Sequence, residues 1–493
     1  MPTYLSPGVY VEEVSSGLAP IAGVSTSTAA FIGIIKTASS HLDQQAGSGG
    51  ADEPGAPAPQ AGSGGTGIPV PSDSPGPQTY PINPILKEEV GKANGEKTSF
   101  ELSVYPVLTT DYTVVVNGQV KTDGTELKND DTAQRSRLTF TPAPPSESTI
   151  SVSYYQGTSV KAGKVELCTT FADFKKFFGD FSKDESKSKG QKTLAHAVYG
   201  FFRNGGTRCY VVWVADEGKV DDALKTFEDF EEISLIAAPG VTDTTALTSI
   251  TAHCEKLKNC FAIFDGPKKM ADLGAGKPGE NKLPGKTNYG ALYFPWIEVY
   301  DFGTEKNIHI PPSGHIAGVY ARVDNQRGVY KAPGNEVILG ATGLMYAISK
   351  AQQDGLNPQG VNCIRNLNGN IRIWGARTWG GDANGEFKYI NVRRLMNFIR
   401  ESIDKGTQGT VFEPNSSDLW ARIRRNVTAF LTMLWRSGAL FGSTPAEAFY
   451  VKCDKETNPQ DVIDAGKVVT EIGVAIVKPA EFVIFRISQW SNN

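Results

Sequence analysis

The hydrophobic positions fall into distinct patterns, each in its own part of the chain. Continuous apolar runs of strand length occur at residues 28–35 (TAAFIGII), 209–214 (CYVVWV), 233–237 and 260–264. Such runs suit strands covered on both faces of a sheet. Helical spacing lies between them. Residues 170–179 carry Phe171, Phe174, Phe177 and Phe178 with a glycine stop, residues 194–202 end at Asn204-Gly205-Gly206, and further helices are predicted near 223–230 and 246–257. This alternation predicts a mostly parallel sheet covered by helices.

Residues 85–158 read differently. Short alternating segments at 100–104, 112–116, 137–140 and 149–155, with a strong hairpin signal at Asn117-Gly118, predict about five to seven short strands and no helix. Ahead of them, residues 39–79 are rich in Gly, Ser, Pro, Ala and Gln and nearly devoid of large apolar side chains. Such a stretch cannot bury enough surface to offset the entropy of ordering it, so it reads as a linker or exposed loop. Beyond residue 300, two amphipathic helices stand out. The first carries Val392, Leu395, Met396, Ile399 and Ile403 on one face, with Arg393, Arg394 and Arg400 away from it; the second opens at the cap candidates Ser416 and Ser417 and runs to about Arg436, with Arg422, Arg424 and Arg425 near its start.

The two ends of the chain resemble each other. Residues 9–14 (VYVEEV) follow Pro7-Gly8 as a short extended segment, and residues 478–490 (KPAEFVIFRISQW) are apolar on both faces from Phe482 to Ile487. A terminus ordinarily frays. An apolar strand there needs a sheet to join, in this chain or in another copy.

Composition narrows the field without deciding it. The net charge of −4 and ordinary apolar content give no argument for nucleic acid or an anionic membrane. The first residues hold no signal-peptide pattern, and no run approaches the ~18–20 apolar residues of a membrane helix. The six cysteines are scattered in no zinc spacing, and His253 beside Cys254 does not make a metal site. No metal or cofactor site is expected.

Candidate catalytic residues are few. Asp265 ends an apolar strand, where α/β enzymes often place an acid, but a turn aspartate before Gly266-Pro267 explains it as well. Ser313 and His315 sit in a Pro/Gly turn context. Residues 62–67 formally fit GxGxxG, yet no strand precedes them and no helix follows. Asn415 and Asn426 fit glycan sequons but read as a helix cap and a helix interior. Two rival functions remain open on this evidence: an α/β hydrolase- or transferase-like enzyme using Asp265, and an adhesin carried by residues 85–158.

Several segments, in order, resemble the sheath protein of contractile phage tails, extracellular contractile injection systems and R-type bacteriocins. They are YLSPGVYVEEV, AAFIGI, TTFADFKKFFG, AHAVYGFFRNGGTRCYVVWV, SLIAAPGVTD, CFAIFDGP, PPSGHIAGVYARVD, GNIRIWGARTW, YINVRRLMNFIRESI and KPAEFVIFRISQ, spanning the chain apart from residues 39–163. The resemblance implies a multidomain α/β fold: an N-terminal arm (1–22), an α/β sheath domain (23–38 and 164–300), a linker (39–84), an inserted all-β outer domain (85–163), a tube-proximal C-terminal domain (301–477) and a C-terminal arm (478–493). It implies a structural subunit and no enzyme. Subunits assemble in the bacterial cytoplasm as hexameric rings around an inner tube, joined to baseplate and terminator proteins, in a particle that is released or membrane-anchored, without direct contact to nucleic acid or membrane. Contraction drives the tube through a target envelope. Arms of neighbouring subunits add strands to a shared sheet through Val9, Tyr10, Val11, Phe482, Val483, Ile484, Phe485, Arg486 and Ile487. Arg393, Arg394, Arg422, Arg424 and Arg425 are the candidates for contact with the tube.

Overall fold

A computed structural model describes residues 20–35, 80–103, 107–130, 133, 135–158, 160–181, 189–273 and 283–486. The expected N-terminal arm with Val9, Tyr10 and Val11, most of the expected linker, and Ile487 lie outside these residues. The chain forms two compact units, one from Thr26–Gln326 with Pro333–Ile390, the other from Met1–Ser25, Arg327–Ala332 and Asn391–Asn493.

The larger unit starts with β1 (Ala29–Ile34). The next seven strands build two sheets of their own. They are β2 (Tyr80–Lys92), β3 (Ser99–Glu101), β4 (Val107–Val116), β5 (Gln119–Lys121), β6 (Thr125–Asp130), β7 (Arg135–Phe140) and β8 (Thr149–Thr158). The sheet orders are β2-β8-β4-β5 and β3-β7-β6. Phe100, Val114, Leu138, Phe140, Ile150 and Val152 form a separate core for them. The β4–β5 turn is the one its sequence demands, with Asn117 and Gly118 both at positive φ, 51° and 80°. That pair of angles matches the right-handed twist of a hairpin.

The main sheet joins β1 to β9 (Glu166–Cys168), β10 (Cys209–Val214), β11 (Leu235–Ala237), β12 (Phe261–Asp265) and β13 (Gly290–Phe294). A three-stranded sheet follows, from β14 (Ile297–Asp301), β15 (Lys306–Ile310) and β16 (Ala341–Leu344); β17 (Val361–Leu367) and β18 (Asn370–Ile373) then return to the main sheet. Its order is β18-β17-β13-β12-β11-β1-β10-β9. The six inner strands run parallel, and β9 and β18 close the edges antiparallel. Successive residues serve opposite faces. Ala29, Phe31, Val211 and Trp213 belong to one core, and Ala30, Ile32, Val212 and Val214 to the other. On the first face lie α1 (Phe171–Phe178), α2 (Lys189–Arg203) and, later in the chain, the helix Ser313–Arg327; on the second lie α3 (Val220–Phe227) and α4 (Thr244–Leu257). Thr170 starts α1 with a capping box, its hydroxyl accepting from Asp173 N.

The sequence places a boundary at residue 301, yet the larger unit continues to Ile390. The cause is β17, which pairs in register with β13 (Leu292↔Val361) although about seventy residues separate them. A long parallel crossover of this kind leaves no local mark.

In the smaller unit the amphipathic stripe of residues 391–407 meets the helix Ser417–Arg436. Leu395 and Ile399 share a core with Leu419, Ile423, Val427, Phe430 and Leu431, joined by Ile21 and Val329. Ser416 caps the second helix, its hydroxyl accepting from Leu419 N. Asn426 is inside that helix, and Asn415 donates to the Lys467 carbonyl at 2.8 Å. Two short strands, β19 (Phe449–Lys452) and β20 (Glu471–Val474), pair antiparallel.

Candidate assembly surfaces

The C-terminal segment leaves the smaller unit from a fixed point. Beyond β20, Ile476 bridges Leu440, Val477 N donates to the Ala439 carbonyl at 3.2 Å, and Asn391 Nδ2 donates to the Val477 carbonyl at 3.0 Å. From Lys478 to Arg486 the chain then joins no strand. Phe482, Val483, Ile484 and Phe485 are 69, 71, 79 and 83% exposed. Burying each such side chain is worth about 1.5–3 kcal/mol, so this run carries a large unrealised stabilisation. Arg486 is exposed as well. The segment expected to act as a strand therefore has no sheet within its own chain among the described residues.

The same unit holds an unfinished sheet. β19 and β20 form a sheet of two strands, so each keeps an outer edge that no other described strand pairs. Tyr450 on β19 is 59% exposed, and Phe441, beside the second strand, is 73% exposed. A two-stranded ribbon alone is marginal in water.

The five arginines separate into two sets. Arg393 and Arg394 are only 7% and 5% exposed, although they lie away from the apolar stripe of their helix. Arg422 is half-buried and donates to Glu413 at 2.9 Å; Arg424 donates to the Cys453 carbonyl at 3.0 Å; Arg425 is exposed. Of these five, the solvent-accessible ones are those at the start of the second helix.

The catalytic candidates are enclosed. Asp265 is 4% exposed and accepts from Gly240 N at 3.1 Å and from Ser313 N and Oγ at 2.7 Å each. Burial pushes its carboxyl up to about 6, while the Ser313 and Gly240 hydrogen bonds pull the other way. It caps the helix Ser313–Arg327 from 48 residues away, rather than the turn that follows it. Ser313 spends its hydroxyl on this cap. His315 is buried against Gly200, and burial, with the neighbouring charges of His196 and Arg203, pushes it down to about 3. His253 is also held low by burial. Among the described residues no three His, Cys, Asp or Glu side chains converge as metal ligands.

Sequence reasoning missed one buried cluster. Asp301, fully buried, accepts from His196 Nε2 at 3.0 Å, Lys192 Nζ at 2.6 Å and Thr304 Oγ1 at 2.6 Å. Burial pushes its carboxyl up, but these bonds outweigh burial and hold it below the usual range. The cluster ties the β14–β15 turn to α2. Lys192 and His196 lie about a hundred residues before Asp301 and Thr304, so no local pattern marks the cluster.

Known proteins bear on these surfaces. The profile of the phage tail sheath protein central domain matches residues 214–379, and that of the phage tail sheath C-terminal domain matches residues 382–489. A putative prophage major tail sheath protein of Pseudomonas aeruginosa is 26% identical over 271 residues, covering 52% of this chain and 65% of its own length. The tail sheath protein of Burkholderia phage BcepMu is 27% identical, covering 53% and 55%. The chain therefore spans less than two thirds of these curated relatives. Among solved structures, a chain of the anti-feeding prophage baseplate is 32% identical, with a TM-score of 0.58 over 66% of this chain and 88% of its own. A chain of an extracellular contractile injection system sheath in the contracted state is 31% identical, with a TM-score of 0.58 over 67% and 88%. The contracted helical sheath of the anti-feeding prophage, 23% identical, shares the fold over 99% of this chain with a TM-score of 0.60. With both sheath profiles lying end to end over the buried strands and the unfinished sheet, this chain belongs to the family of phage tail sheath proteins.

Proposed function

We propose that this chain is the structural, non-enzymatic subunit of a contractile sheath. It polymerises as stacked hexameric rings around an inner tube, between a baseplate and a terminator, and contracts to drive the tube through a target envelope. Subunits are linked by strand addition: the C-terminal arm of one copy, through Phe482, Val483, Ile484, Phe485, Arg486 and Ile487, and the N-terminal arm of another, through Val9, Tyr10 and Val11, extend a sheet of a third. The outer edges of β19 and β20 are the acceptor we favour.

The observation that carries this reading is the exposure of Phe482 to Phe485 on a chain that also holds a two-stranded sheet with open edges. Strand addition supplies main-chain hydrogen bonds at about 0.5–1.5 kcal/mol net each. Burial of the four apolar side chains supplies more. Such a link outlasts polar surface contacts when subunits slide, and the difference between two packings then drives contraction.

Arg422, Arg424 and Arg425 form the tube-facing surface in this proposal. Arg393 and Arg394, the other two candidates, are buried and leave little to present. Assembly takes place in the bacterial cytoplasm, in a phage tail or tail-like particle.

Removal of residues 481–493 is the direct test. The truncated chain is expected to stay folded and soluble but to form no tubular polymer by negative-stain microscopy. Sheaths of normal appearance from that chain would sink the strand-addition reading.

A further inference from the structure

All six cysteines are free and buried, but they are not equivalent. Cys168 lies on β9 and Cys209 on β10, directly opposite in the antiparallel register. Both are fully buried, and both side chains belong to the same core. Opposed residues of an antiparallel pair have Cα atoms about 4.5–5.5 Å apart, inside the ~4.4–6.8 Å window of a disulfide. β9 is three residues long and forms the outermost strand of the main sheet. A short edge strand, paired on one side only, opens locally more readily than the inner strands of its sheet.

We propose that Cys168 and Cys209 are a latent disulfide, closed by a small-molecule disulfide RSSR when the particle leaves a reducing compartment. The setting rests on the sheath reading; the chemistry does not. Opening of β9 uncovers Cys168, which gives up its proton and attacks one sulfur of RSSR, and the departing RS⁻ takes up a proton as RSH. Cys209 then attacks Cys168 Sγ in the mixed disulfide and expels the second RSH. The protein dithiol loses two electrons and two protons, and RSSR gains both. The finished bond ties the edge strand to the sheet across the segment that contains α1 and α2.

Two properties set the pace. Burial, and the hydrogen bond with Cys168, push the Cys209 thiol well above its ordinary value. The thiolate is the reacting species, so closure is slow and waits on strand opening. Once β9 recloses, the same burial shields the bond from reductants. Cys254 and Cys260 are also buried in one core, six residues apart, and serve as an internal comparison. A bond there would span only one tight connection and tie no distant elements.

The full chain is incubated under native conditions with oxidised glutathione, quenched by alkylation in denaturant, and mapped by mass spectrometry. The expected result is loss of two of the six alkylatable thiols and a linked peptide pair containing Cys168 and Cys209. The unfolding temperature should rise by a few degrees, and dithiothreitol in denaturant should reverse it. Cys209→Ser should abolish the link; if that variant does not fold, the wild-type map decides alone. Six thiols still alkylated, a persistent glutathione adduct, a link confined to Cys254 and Cys260, or a link formed only after unfolding would each overturn the proposal. Because the assay reads thiols and not polymers, it stands or fails separately from sheath assembly.

Discussion

In the larger unit the long sheet encloses its own strands. Phe31 and Ile32 point to opposite faces and both are fully buried. The β18 edge is covered in turn by residues 336–338, where Ile373 N donates to the Glu336 carbonyl and Ile338 N to the Ile371 carbonyl. In the smaller unit the helices pack well, but β19 and β20 keep their edges and the chain runs out through four exposed apolar residues. The main sheet of the first region is covered on both faces by its own helices. The second holds both halves of a contact that no described part of the same chain closes. Natural proteins blunt open edges with charge, proline or a covering loop. An edge left open beside an apolar tail is what a subunit needs for polymerisation under control.

The sharpest test sets one aromatic residue from each region against the other. Trp213→Ala removes a side chain buried at 1% exposure and should cost about 3–5 kcal/mol of stability by denaturant unfolding. Phe485→Ala should change monomer stability by no more than about 0.5 kcal/mol, yet reduce polymer yield in sedimentation. Equal losses of stability in both variants would erase the distinction.

The arginines give the next contrast. Arg394→Glu places an opposing charge in a buried position and should cost about 3 kcal/mol or more, read as lost soluble yield and a lower melting temperature. Arg425→Glu should leave the melt within about 0.5 kcal/mol of wild type while weakening co-sedimentation with inner tubes. Unimpaired co-sedimentation would remove Arg425 from the tube surface.

Acid titration probes the closed region. Asp265 is held near 6 in the fold against about 3.9 in an unfolded chain, so the native state binds the proton first. Its contribution is a penalty present above pH 6 that is relieved as pH falls from 6 toward 4, by up to about 3 kcal/mol. His315, held near 3, acts the other way. The unfolded chain takes that proton below about 6.5 and the native state does not, so stability is lost as pH falls. The wild-type profile alone mixes the two. The stability difference between wild type and Asp265→Asn should move in favour of wild type between pH 7 and pH 4. A constant difference would mean that Asp265 keeps an ordinary carboxyl.

The smallest effect is expected at Val120, 63% exposed on the short strand β5. Val120→Ser should shift the melt by less than about 0.5 kcal/mol and leave polymer formation unchanged. A loss of assembly would add the β2–β8 region to the contact surfaces.

What could be read from the chain follows the range of the interactions. The runs around Phe31 and Val211 announce covered strands because both faces need apolar residues. Asn117-Gly118 announces its turn, and Ser416 its helix, because their partners are within three or four residues. Asp265 with Ser313, and Asp301 with Lys192 and His196, escaped because each bond spans 48 or more residues. The burial of Arg393 and Arg394 is not legible either, since a buried arginine off the apolar stripe leaves no local signature to distinguish it. The exposed tail was the reverse case. Its apolar pattern called for a sheet, and the chain's own described sheets do not include it.

One feature of the β-rich stretch has a consequence for evolution and engineering. β2 and β8 lie side by side and antiparallel, with Tyr80 opposite Thr158 and Lys92 opposite Thr149. Adjacent strands are about 4.7–4.9 Å apart, so the path out to β3–β7 and the path back pass through one narrow doorway. β4 pairs with the other edge of β8, so an insertion keeps this frame only where it leaves that ladder whole, as at the Asn117-Gly118 turn between β4 and β5. That turn is in effect a socket, and a peptide tag, a binding module or a fluorescent reporter spliced into it would be carried once per subunit.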